Sequence, residues 1–305
     1  MSEFLALIDI GSNAVRCLLA RIIPEVGFEV LFQERVQTRL GGGRSGLLPP
    51  AAVEQTVAFI RRFLRTVHKE YRPRVMTVAT AAVREAANRS ALLETLQRDE
   101  GVVVQVLSSA EEAHLGAFAA VRSLSFQNGV VIDLGGGSLQ LTQVGAGEII
   151  STASVPLGVV RTTQHFFLTD PPTRHEIMVL REEILRHVSP VLPPHRPEQD
   201  MVGLGGTIRT LAAIYLAAFD DPRPSRQGLR LQRSDISRIQ EQLTGLPIRD
   251  RRCIPGLKAE RADIILAGTV IVEEVMTLGN YETLTMYEGG VRHGLLLRET
   301  FGGKL

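Results

Sequence analysis

One pattern occurs twice in this 305-residue chain, and it constrains the fold more than any other feature. An apolar run ends in an aspartate, a glycine turn follows, and a second apolar run starts at once. The first copy runs from Phe4 through Ile8 into Asp9-Ile10-Gly11-Ser12-Asn13 and on to Val15–Ile23. The second runs from Gly129 through Ile132 into Asp133-Leu134-Gly135-Gly136-Gly137-Ser138 and on to Leu139–Val144. The two aspartates stand 124 residues apart, the length of a whole α/β domain and far more than a solenoid repeat. At roughly 150 residues per domain, the chain length agrees with two domains.

Between the copies, apolar periodicity alternates between strand and helix. Val53, Val57, Ile60, Leu64 and Val67 follow helical spacing from about Ala51. Short strands are expected over 75–80 and 102–107, and a helix capped by Ser109 runs to about Arg122. A polar break at 123–128 follows, the best domain boundary and the expected hinge. Thr173-Arg174-His175-Glu176 reads as a capping box opening a helix. Further on, a strand at 201–204, a helix from Thr207, a long helix over 259–278, a strand at 283–286 and a final helix are expected. Loops are expected at Gly41-Gly42-Gly43, at 193–197 and at 220–227. The reading is therefore a first domain over 1–123 and a second over 124–305, with the final helix packing back on the first.

Composition excludes more than it identifies. With 34 basic against 33 acidic residues the net charge is +1, so no global field argues for a nucleic-acid or membrane partner. Only Lys69, Lys258 and Lys304 are lysines. That bias fits phosphate recognition by planar guanidinium forks, and equally a coding bias toward arginine. Two distant cysteines, Cys17 and Cys253, suit a reduced, cytoplasmic setting. The N-terminal run meets Asp9 too early for a good signal peptide, and no apolar run approaches the roughly 18 residues of a membrane span.

The chemistry lies in the turns. Each puts a carboxylate at a strand end beside glycine N–H groups, and consecutive N–H groups form a nest for phosphate. An aspartate beside such a nest would repel phosphate unless a divalent cation such as Mg²⁺ lies between them. A lone turn of this kind is weak evidence; two in the same strand context are much stronger. A strand follows each turn, so the dinucleotide-binding fingerprint, which needs a helix there, is excluded; no GxxxxGK[ST] loop occurs either. A third turn, Gly203-Leu204-Gly205-Gly206-Thr207, precedes a helix that Thr207 suits as N-cap, so either an ordinary capped helix or a third phosphate contact is expected there.

Several stretches now carry a resemblance: Ile8–Asn13, Thr38-Arg39-Leu40-Gly41, Val78–Asn88 with its Thr80, Arg84, Ala86 and Asn88, Ser109-Ala110-Glu111-Glu112-Ala113, Ile132–Ser138, Gly203–Thr207 and Gly289-Gly290-Val291-Arg292-His293-Gly294. In this order, from residue 8 to 294, they resemble the exopolyphosphatase and guanosine pentaphosphate phosphohydrolase family in its short, two-domain form. The resemblance implies an α/β fold of two actin-like (ribonuclease H-like, ASKHA superfold) domains around an interdomain cleft. It implies Mg²⁺ held by Asp9 and Asp133, and phosphates held by Gly11, Ser12, Asn13, Arg16, Arg84, Gly135, Gly136, Gly137, Ser138, Gly205, Gly206, Thr207 and Arg292. Glu112, with Asp133 and the residue at 140, would carry catalysis on inorganic polyphosphate or a guanosine polyphosphate. Homodimers occur in the family.

Two positions keep alternatives open. Ser109-x-x-Glu112 also has capping-box spacing, which would make Glu112 a helix cap instead of a base. Gln140 departs from the glutamate usual after the second turn; it keeps the length but loses the charge and cannot accept a proton. His293, where the family has glutamate, reads as structural. The function classes are then a polyphosphate hydrolase, a catalytically weakened binding or sensing protein, and an ATP-dependent kinase or filament protein of the same superfold, against which the motifs around Arg84 and Glu112 argue.

Overall fold

A computed structural model of the protein describes residues 3–42, 46–194, 199–219 and 225–301. The chain divides into two compact units, Met1–Leu115 with Val291–Leu305, and Gly116–Gly290.

In the first unit, strand β1 (Glu3–Ile10) turns at Gly11 and pairs antiparallel with β2 (Val15–Ile23), which pairs with β3 (Gly27–Val36). The long helix α1 (Pro50–Glu70) carries the chain over to β4 (Arg74–Ala79), parallel to β1. Pro50 opens α1, where its missing N–H costs no hydrogen bond. Ile60, Phe63, Leu64 and Val67 recur at helical spacing and are buried in a core with Ile8, Ile10 and Leu19. Helices α2 (Ala81–Glu85) and α3 (Arg89–Glu100) lead to β5 (Val104–Val106), parallel to β4. The sheet order is β3-β2-β1-β4-β5. Helix α4 (Ser109–Leu124) starts in this unit. The last helix of the chain, which spans Val291–Thr300, adds Leu295 and Leu296 to a second cluster with Leu5, Leu7 and Leu115.

The second unit repeats the plan. β6 (Gly129–Leu134), β7 (Leu139–Gly145) and β8 (Glu148–Val155) form the antiparallel meander. Helices α5 (Val159–Phe166) and α6 (Arg174–Val188) precede β9 (Asp200–Leu204), parallel to β6. Then come α7 (Gly206–Ala218), β10 (Arg230–Gln232), α8 (Arg233–Leu243), α9 (Ile248–Arg251), α10 (Ile265–Leu278) and β11 (Thr283–Met286), followed by the terminal helix α11 already placed at 291–300. The order is β10-β11-β9-β6-β7-β8. Helix α10 is buried on nearly every side, so its sequence is apolar all round. Thr173 and Glu176 form the expected capping box. Among the described residues no helix is long and apolar enough to cross a membrane.

Two local expectations change, and strand β3 is an element for which none was made. The long helix over 259–278 is broken: Ala259–Arg261 is a 3₁₀ turn, and the α-helix begins only at Ile265. The break lets the Arg261 side chain reach Thr207. Thr207 is not the N-cap of α7; Gly205 is, at φ 102°, a left-handed conformation that only glycine adopts without strain. Strand β3 escapes the periodicity because it is an edge strand with much of its surface exposed, so no apolar alternation is imposed. Of the expected loops, Gly43, 195–197 and 220–224 lie outside the described residues.

Candidate functional site

The first turn is held through its carbonyls. Gly11 N–H donates to Ala14 O at 3.2 Å and closes the hairpin. The carbonyls of Ser12 and Asn13 accept from Gly41 N (2.8 Å) and Arg39 N (3.1 Å). Among the described residues no backbone carbonyl accepts from the N–H of Ser12 or Asn13. The Asn13 Oδ1 accepts from Gln37 Nε2, while its buried Nδ2 has no hydrogen-bond partner. A turn whose acceptors are used and whose donors are not is suited to an anion.

Asp9 sits directly across the β1–β2 ladder from Arg16. Its Oδ2 is 3.4 Å from Arg16 Nη1 and 3.9 Å from Arg292 Nε. Burial lowers the Arg292 pKa and the Arg16 charge adds to that; Asp9 acts in the opposite direction. The structure thus brings Asp9, Arg16 and Arg292 into one cluster.

Glu112 lies in the first turn of α4, but it is not the cap. The capping box is one residue earlier: Glu111 N–H donates to Ser108 Oγ at 3.2 Å, and Ser108 N–H donates to Glu111 Oε2 at 2.8 Å. Those bonds hold the Glu111 carboxyl below the usual carboxylate range. Glu112, only 8% exposed, accepts instead from Arg84 Nη1 at 3.1 Å. The same Nη1 donates to Leu107 O at 2.9 Å, which fixes the guanidinium at the C-terminal end of β5. Asn88, the last residue of that motif, pairs through both amide atoms with the backbone of Leu48 and pins the segment before α1.

In the second unit, Gly135 N–H donates to Ser138 O at 3.0 Å. The first residues of α5 take up the turn's carbonyls: Val159 N donates to Gly135 O (3.0 Å) and Val160 N to Gly136 O (2.9 Å). No backbone carbonyl among the described residues accepts from Gly136 or Gly137 N–H. Gly158 makes this close approach possible, since a Cβ there would lie 2.2 Å from the Gly137 carbonyl carbon.

Asp133 faces Gln140 across the β6–β7 ladder, at the same register as Asp9 and Arg16. Gln140 is 1% exposed; its Nε2 donates to Ser138 Oγ at 2.6 Å and its Oε1 has no hydrogen-bond partner. The third turn lies beside the second. A Cβ on Gly205 would sit 3.0 Å from Asp133 Oδ1, and one on Gly116 would sit 3.3 Å from Oδ2. Thr207 is fully buried, and its hydroxyl accepts from Arg261 Nη2 at 3.4 Å. Arg261 also packs against Gly206, where a Cβ would meet Nη1 at 2.6 Å. Sequence reasoning missed Arg261, because it belongs to no glycine turn and reaches the third turn only through the 3₁₀ break.

Two α/β units, each built on a strand–aspartate–glycine turn–strand hairpin, define a two-domain protein of the actin-like superfold. The chain belongs to the Ppx/GppA phosphatase family, whose model matches residues 19–301. It is 28% identical over 311 residues to exopolyphosphatase 2 of Mycobacterium tuberculosis, covering 96% of this chain and 97% of that protein. It is 29% identical over 307 residues to exopolyphosphatase 1 of Mycobacterium leprae, covering 97% and 89%. Among solved structures it matches the Aquifex aeolicus Ppx/GppA family member over 98% of both chains, with TM-score 0.82 and 29% identity. An exopolyphosphatase from Cytophaga hutchinsonii matches over 99% of both chains with TM-score 0.90; at 22% identity that likeness is one of fold.

Proposed function

We propose that the chain hydrolyses the terminal phosphoanhydride bond of inorganic polyphosphate. The observation that carries this reading is the release of Glu112 from capping duty by Glu111, with Arg84 holding it. A positioned carboxylate can orient water and take its proton. The water oxygen bonds to the terminal phosphorus, the bridging P–O bond breaks, and the products are orthophosphate and a chain one unit shorter. The turn amides of Ser12, Asn13, Gly136 and Gly137, which no backbone carbonyl among the described residues accepts from, suit phosphate oxygens. The relatives' names support the same substrate class, and a guanosine polyphosphate carries the same terminal bond.

The expected divalent cation fits one of the two aspartates. Among the described residues no group of three or more His, Cys, Asp or Glu is placed to hold a metal, so a cation here would depend on phosphate oxygens, as Mg²⁺ commonly does. Asp133 fits that role, lodged between Gly116 and Gly205 with a neutral amide across the strand. When bound, the cation would neutralise phosphate charge. Asp9 does not fit: two guanidinium groups already face its Oδ2. A divalent ion roughly 6 Å from one guanidinium would meet about 5 kcal/mol of repulsion at an effective dielectric of 20.

Incubating the chain with Mg²⁺ and long-chain polyphosphate, and measuring released phosphate, tests the reading. Glu112→Gln should lower the rate by roughly 10²–10⁴ while polyphosphate is still bound. A Glu112→Gln rate equal to the parent's would end the assignment. Gln140 favours a second reading, a binding protein with weak turnover, since an amide held by Ser138 can orient water but cannot accept its proton. Tight polyphosphate binding without release, and release gained by Gln140→Glu, would select that reading.

A further inference from the structure

We infer that Arg251 is a positioning residue for the third turn: a buried guanidinium that fixes the segment between α8 and α10 and so sets Arg261 against Gly206 and Thr207. The inference adds a residue that belongs to none of the glycine turns, and its consequence for phosphate binding rests on the phosphohydrolase reading.

The segment from Pro247 to Arg261 has little regular structure to hold its shape. It contains the one-turn helix α9 and a 3₁₀ turn. Among the described residues, every backbone bond donated between Asp250 and Arg261 ends on a carbonyl of the same segment. Three contacts from outside set its place. Both Asp170 carboxylate oxygens accept from Ile248 N, at 3.0 and 3.1 Å, and anchor the start of α9. Gly256, at φ 82°, lies so close to α7 that a Cβ there would sit 2.3 Å from Ala213 O. Between these two anchors Arg251, 1% exposed, donates from Nε to Leu243 O at 3.2 Å and from Nη1 to Ala262 O at 3.5 Å. Leu243 ends α8 and Ala262 caps the 3₁₀ turn, so both carbonyls lie where a helical segment leaves acceptors over and favours a cation. Burial lowers the Arg251 pKa, and the charges of Asp170 and Asp263 oppose that shift. An apolar side chain would fill the same space without the cost of burying a charge, but only the guanidinium spans both carbonyls at once. Ala262 follows Arg261 directly, and Arg261 Nη2 reaches Thr207 Oγ1 at 3.4 Å with its guanidinium against Gly206. Gly206 and Thr207 open α7, whose cap Gly205 abuts Asp133. Without the Ala262 contact the turn that aims Arg261 is released, and the third turn loses its backing.

Two measurements on the full chain test this: amide hydrogen exchange without substrate, and calorimetric titration with inorganic tripolyphosphate in Mg²⁺. In Arg251→Met, exchange should quicken about ten-fold or more over 259–264 and 207–210 and stay at the parent rate over 129–134. Arg181→Met, which removes the arginine that α6 sends to Glu273 and Glu274, should leave 259–264 unchanged. Arg251→Met and Arg261→Met should each weaken tripolyphosphate binding about five-fold or more. The two together should bind no more weakly than Arg261→Met alone, because Arg251 acts through Arg261. Arg251→Lys keeps the charge and one donor group, and should recover part of the affinity and of the slow exchange. Parent exchange rates over 259–264 in Arg251→Met, or a rise that is equal over 129–134, overturns the positioning role and leaves the phosphohydrolase reading in place. So do additive losses in the double variant. An unaltered chain that binds no tripolyphosphate overturns the consequence for phosphate binding together with the phosphohydrolase reading, while the exchange rates decide the placement of Arg261 separately.

Discussion

At the scale of single residues, the decisive detail is a shift of one position. Ser109-x-x-Glu112 and Ser108-x-x-Glu111 have the same spacing, and nothing local says which pair closes the helix. The folded chain uses Ser108 and Glu111, and Glu112 falls about 100° further round the helix, where Arg84 meets it. Gln140 is the other residue whose environment decides its meaning. Because it is buried and bonded to Ser138, with its Oε1 unpartnered among the described residues, Gln140→Glu would put a carboxylate in a site that gives its oxygens little hydrogen bonding. The substitution should lower stability by about 1–3 kcal/mol at neutral pH, measured by denaturant unfolding, and less below the carboxyl's raised pKa. A Gln140→Glu protein as stable as its parent would show that a cation or water already fills the space beside Oε1.

At the scale of elements, hairpins and the helices behind them act as one device. The N-terminal turn of α5 donates to the carbonyls of Gly135 and Gly136. With those carbonyls tied down, the amides of Gly136 and Gly137 have no backbone carbonyl among the described residues to donate to. Gly158 is the hinge of that contact, since any side chain there would overlap the backbone of Gly137 and Ser138 at 2.2–2.3 Å. Gly158→Ala should therefore push α5 off the turn, costing about 2–3 kcal/mol, in the range of overpacked sites. Polyphosphate affinity should fall with it, while Gly27→Ala, at a site with open space around it, should leave affinity intact. Equal affinities in the two variants would mean that α5 does not shape the turn.

At the scale of the whole molecule, the chain's two units do not follow its linear order. Helix α11 is the last described helix, yet it belongs with the first unit, where Leu295 and Leu296 are fully buried and Arg292 meets Asp9. Ending the chain at Gly290 removes both leucines, each worth about 2–5 kcal/mol in such a core. Limited proteolysis of that truncation should cut within 3–115 and spare 129–286. Equal protection of both regions would show that α11 contributes little to the first unit.

The sequence by itself determined the duplication, the strand ends where the aspartates sit, the glycine turns and most helices, because each depends on neighbours in the chain: apolar period, turn chemistry and caps. It read the capping box of α6 correctly for that reason. Only the tertiary structure decided which glutamate caps α4, that Arg261 lies under the third turn, that Thr207 is buried instead of capping, and that Asp9 is held by two arginines while Asp133 faces an amide. Those facts turn on contacts between segments distant in sequence. A periodic pattern records which side of an element is buried, but not which polar group from elsewhere arrives to meet it.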